Sequence, residues 1–144
     1  AAVDRAAREE LMRWTLAPER MCYARVADTC YGWFEAQADT VRQLSEALPV
    51  ICSGVAFGQL FKGRLKPDPA LAFHPGLNRD AVPTADLDEE TALRYLRRQD
   101  IAADALCEGL NLIACRNRAL GFAKRIGARV NNMYPNSLRI IKQE

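Results

Sequence analysis

Histidine occurs once in this 144-residue chain, as His74, and the five cysteines (Cys22, Cys30, Cys52, Cys107, Cys115) include no CxxC pair. Zinc is held by closely spaced Cys and His ligands, so a metal site is excluded. An odd number of cysteines is no disulfide framework. Four of them stand among apolar or aromatic neighbours, as in MCYARV and LPVICSGV, which reads as buried free thiols and a cytoplasmic protein. No stretch approaches the roughly 20 apolar residues of a membrane helix, and no charged start precedes an apolar core as in a secretion signal. The phosphate cradles GxGxxG and GxxxxGK[ST] are missing. So is GxSxG, and a lone histidine supports no triad. The adjacent acids Glu89 and Glu90 fit the first turn of a helix, where they favour its positive end. Thr29–Cys30 has no neighbouring base to activate the thiol. No active site is expected.

What is present is ordinary in amount and uneven in arrangement. Apolar residues make up 49% and charged residues 26%, enough for a folded core without staples. The chain opens on Ala1, as expected of a processed end or of a piece of a larger protein. Net charge is +2, but from Arg116 onward seven basic residues face one acid, a net +6, while the preceding residues carry 13 basic against 17 acidic, a net −4. Such asymmetry points to a polyanionic partner or to a solvated basic face.

Val3, Ala7, Leu11 and Trp14 form the stripe of an amphipathic helix over 3–14. MCYARVA and CYGWF read as a short hairpin around Asp28 and Thr29. Val41, Leu44 and Leu48 predict a second helix ended by Pro49. VICSGVAFGQLFKGRL is strand-rich, with Gly54, Gly58 and Gly63 at bulges or turns. Residues 74–86 read as a connection. A third helix begins at Asp88, stapled by Leu87 and Ala92, with Leu93 and Leu96 on its buried face. GLNLIAC and ALGFAKRIGARV are strands joined at Arg116–Asn117–Arg118, and SLRII is a terminal strand. The sum is an α+β chain of short twisted strands and three helices.

Within that pattern, LGFAKRIGARVNNMYP (Leu120 to Pro135) resembles the signature closing the Sun/RsmF-type RNA (cytosine-5) methyltransferases of the NOL/NOP/Sun family. Gly121, Lys124, Arg129, Asn132, Tyr134 and Pro135 fall in its places, and Arg139 matches its trailing arginine. A second block, LPVICSGVAFGQLFKGRLKPDPALAF, carries the likeness on Gly54, Gly58, Lys62, Gly63, Arg64, Pro67 and Ala70–Leu71–Ala72. A third lies in ETALRYLRR, on Tyr95, Leu96 and Arg97. The pattern departs in two places: Ala119 stands where many relatives have proline, and Asp68–Pro69 replaces a commoner Ser-His. The resemblance implies a small PUA-like half-open β-barrel over residues 77–144, following a small α+β domain over 1–76. It places the S-adenosylmethionine site and the catalytic cysteines in a preceding Rossmann-like domain that nothing here matches. No cofactor is therefore expected in this chain, and its implied partners are RNA, above all ribosomal RNA, and its own methyltransferase domain.

The chemistry of the residues agrees with that implication. Lys62, Arg64, Lys124, Arg125 and Arg129 can carry charge to phosphates, with guanidinium forks suited to bidentate contacts. Asn131, Asn132 and Tyr134 suit base, 2′-hydroxyl and stacking contacts. Each asparagine equally suits a turn or cap, and Tyr134 equally suits the edge of the core. A second reading makes the basic surface a docking face for the catalytic core or a ribosomal protein.

Overall fold

The computed structural model describes residues 3–16, 18–34, 55–74 and 76–141. It divides into two compact units, Ala1–Asn78 and Arg79–Glu144, each built on one four-stranded sheet. The helix expected to end at Pro49, together with Cys52 and Gly54, lies outside the described residues.

The first unit opens with α1 (Arg5–Arg13), capped where the Asp4 carboxylate accepts from the Ala7 amide at 2.7 Å. A meander of β1 (Met21–Val26), β2 (Thr29–Phe34), β3 (Val55–Phe61) and β4 (Arg64–Pro67) follows. The β3–β4 turn is two residues long, and both Lys62 (φ 50°) and Gly63 (φ 77°) have positive φ, the type I′ geometry that matches strand twist. At the β2–β3 ladder the register slips between Cys30 and Tyr31, and Gly58 lies in this bulge at φ 138°. A Cβ there would stand 2.0 Å from the Lys66 carbonyl oxygen, so the position accepts only glycine.

Glu10 lies on the apolar side of α1 although it is an acid. It is 7% exposed, and its carboxylate accepts from the Leu65 amide of the edge strand β4 at 2.8 Å and from Trp14 Nε1 at 3.4 Å. Burial alone would raise its pKa, but the Arg13 guanidinium and the Leu65 amide reverse that and hold it below the usual carboxylate range. The helix is thereby tied to a strand edge whose free amides would otherwise be exposed. His74 closes the unit. It is buried, its ring stands edge-on to Phe57 at 5.8 Å, and its Nδ1 accepts from the Gly76 amide at 2.8 Å.

The second unit begins where a plain connection was expected. Thr84–Asp86 form β5, which pairs in parallel with β6 (Gly109–Cys115). Helix α2 (Glu89–Leu96) intervenes, capped by the Asp88 carboxylate on the Thr91 amide at 2.7 Å. Leu87 and Ala92 are both in the buried cluster as the staple requires. The inner face of α2 is Ala92 and Tyr95, whereas Leu93 and Leu96 are only half-buried, because the Tyr95 hydroxyl finds an acceptor inside. Strands β7 (Arg118–Ile126) and β8 (Arg129–Asn132) complete the sheet, in the order β5-β6-β7-β8. The ALGFAKRIGARV run breaks at Gly127 (φ 60°), glycine in the first position of a two-residue hairpin turn. SLRII forms no strand: Asn136–Leu138 is a 3-10 turn, and the Ile140 amide donates to the Leu96 carbonyl at 2.9 Å. Of the described cysteines only Cys30 is buried; Cys107 is exposed in the loop before β6, and Cys22 and Cys115 are intermediate.

Burial pushes the His74 pKa below 6.5, so at mildly acidic pH the unfolded chain takes up a proton that the folded one refuses. Stability contributed by neutral His74 is complete above pH 6.5 and is lost as pH falls below it. Thermal melts from pH 7.5 to 5.5 are expected to show a falling midpoint, and His74→Gln to lose that slope.

Candidate nucleic-acid interface

Two-residue alternation along β7 and β8 decides which polar residues meet solvent. The register pairs Lys124 with Asn131 and Ile126 with Arg129, and partners directly opposite in an antiparallel ladder share a face. Lys124, Ile126, Arg129 and Asn131 therefore stand together on one face, all exposed, with Ile126 at 49%. Arg139, beyond the ladder, is also exposed. Ile126 was not among the candidates; its two-residue spacing from Lys124 was the available signal.

The opposite face holds the residues that the fold itself employs. Arg125 donates from Nη1 to the Leu106 carbonyl at 2.8 Å and from Nε to the Gly127 carbonyl at 2.9 Å, and its Nε lies 3.7 Å from Glu108. Glu108 in turn accepts from the Gly127 amide at 3.0 Å, so this arginine fastens the hairpin turn to the loop before β6. Asn132 donates to the Tyr95 carbonyl at 2.8 Å and accepts from the Tyr134 amide at 2.9 Å. The Tyr134 ring is half-buried against Tyr95, with centroids 5.4 Å apart, and its carbonyl accepts from the Arg98 guanidinium.

The Asn132 and Tyr134 contacts converge on Tyr95, which is fully buried. Its hydroxyl donates to the Phe122 carbonyl at 2.8 Å. Burial, with the neighbouring Tyr134, pushes its pKa well above the usual phenol range, so the ring stays neutral and a donor. Gly121 makes the approach possible, since a Cβ there would lie 2.3 Å from the Tyr95 hydroxyl oxygen.

In the first unit, Lys62 sits exposed in the β3–β4 turn. The Arg64 side chain is 78% exposed, 3.9 Å from Glu10. Lys66, two residues along β4 and also exposed, was missed although alternation puts it on the face of Arg64. Among the described residues no three of His, Cys, Asp and Glu gather as metal ligands, and no helix is long and apolar enough to cross a membrane.

An antiparallel sheet extended by one parallel strand, with a single helix packed on it, makes the second unit a small α+β domain of PUA-like class. Residues 82–140 match the family described as the methyltransferase RsmF PUA domain, and this stretch is a PUA-like region of the Sun/RsmF methyltransferase type. Domains of this class are non-catalytic RNA-binding modules. No curated protein matches the chain.

Tyr95→Phe removes one of the two donors to the Phe122 carbonyl, which keeps the Met133 amide at 3.2 Å, and is expected to cost about 0.5–1.5 kcal/mol in urea denaturation. Gly121→Ala, which drives the hydroxyl off that carbonyl, should cost at least as much. A neutral outcome for both would mean that Tyr95 is not the tie.

Proposed function

We propose that this chain is the RNA-gripping, non-catalytic part of an S-adenosylmethionine-dependent RNA cytosine-5 methyltransferase, holding structured RNA, and ribosomal RNA in particular, for a catalytic domain of the same protein. The observation that carries the proposal is the single exposed face of the β7–β8 hairpin that unites Lys124, Arg129 and Asn131 within a matched PUA domain. Lysine and arginine on that face neutralise phosphates and set register, which requires little base information. Asn131 presents a donor and an acceptor to a base edge or 2′-hydroxyl. Arg139 adds a further exposed cation, while Arg125, Asn132 and Tyr134 support this face from behind.

S-adenosylmethionine does not fit these residues. Among the described residues the only parallel pairing is the three-residue β5 on β6, without the glycine-rich turn into a helix that such cofactors use, so no step of methyl transfer is assigned to this chain. The second reading, docking on the catalytic core or a ribosomal protein, is favoured by the exposed apolar side chains Leu138, Ile140 and Ile141.

With the three cations Lys124, Arg129 and Arg139 on phosphate, log affinity for single-stranded RNA should fall with log salt at a slope of about −2. Lys124→Ala and Arg129→Ala should each weaken binding and flatten the slope by about 0.7, measured by filter binding. A line flat in salt, unaffected by either substitution, would favour docking.

A further inference from the structure

The sheet of the first unit exposes a face of a different character. Its register aligns Val26, Thr29, Gln59 and Lys66 in a row across β1 to β4, with Phe61 opposite Arg64 in the next. Leu65, on the other face of β4, is buried. Phe61, by contrast, is 56% exposed at the last position before the turn. Lys66 Nζ lies 5.9 Å from its ring centroid, and the exposed Gln59, Arg64 and Lys62 surround it along the hairpin.

An aromatic ring left in water forgoes the burial that stabilises a fold. Its neighbours identify what would cover it. Protein interfaces are depleted in lysine at their centres, yet the residues beside Phe61 are two lysines, an arginine and an amide. A π-face set among cations matches a chain that alternates flat bases with phosphates. We infer that this face is a second RNA contact surface, on which Phe61 stacks an unpaired base while Lys66, Arg64 and Lys62 take the flanking phosphates. The inference rests on the RNA-binding reading above but uses other residues in the other unit. Stacking accepts any base, so the site is sequence-tolerant.

The test uses the whole chain with two fluorescent probes, an eight-nucleotide oligouridylate and a strand of equal length made of abasic ribose phosphates. Phe61→Ala should weaken oligouridylate binding about tenfold, leave the abasic strand's affinity and the melting midpoint unchanged, and be rescued by Phe61→Trp. The double substitution of Lys124 and Arg129 by alanine should weaken both probes. If Phe61→Ala leaves oligouridylate binding intact while that double variant loses it, the second surface does not exist and the hairpin reading stands. An equal loss for both probes would also overturn stacking. If the unaltered chain binds neither probe, both readings fall together.

Discussion

The second unit depends on one buried phenol. Tyr95 has no charge to place and one hydroxyl to satisfy, and an unpaired hydroxyl in its position would cost several times what a paired one contributes. The Phe122 carbonyl of β7 meets that need, the Tyr95 carbonyl takes the amide of Asn132 from β8, and the ring receives Tyr134. One residue of α2 thus fixes two strands and the chain beyond them. The bulge between Ile113 and Ala114 in the β6–β7 ladder sets Gly121 where the hydroxyl must pass.

This constraint separates two kinds of residue within one short motif. Gly121, Asn132 and Tyr134 answer to Tyr95 and shape the domain, and Arg125 answers to Glu108 and the hairpin turn. Lys124, Arg129 and Asn131 have exposed side chains on the other face. A rigid hairpin with its polar work done on one side leaves the other free for a ligand, which is how a scaffold positions contacts without spending them on its own stability.

Much of this was legible in residues of strong local meaning. Asp88 with Leu87 and Ala92 announced α2 through its cap and staple, and Arg116–Asn117 announced the β6–β7 turn, where both adopt positive φ. Distant pairings were hidden. The three residues of β5 become a strand only beside β6, and nothing local predicts that. Glu10 is buried because a strand edge needs an acceptor, a demand made by residues far along the chain. SLRII has the composition of a strand, yet the end of α2 claims the Ile140 amide. For the site, residue type pointed to cations whose chemistry suits phosphate. Which of them face outward depended on register and on the break at Gly127, and so separated Lys124 and Arg129 from Arg125 only once the hairpin was formed.

The most direct test is to titrate the isotopically labelled chain with single-stranded RNA and follow side-chain and amide NMR signals of the β7–β8 hairpin. Shifts are expected to concentrate at Lys124, Ile126, Arg129 and Asn131, while the Arg125 guanidinium and the Asn132 side-chain amide stay in place. Shifts confined to the Arg125, Asn132 and Tyr134 side, with Lys124 and Arg129 silent, would contradict this assignment.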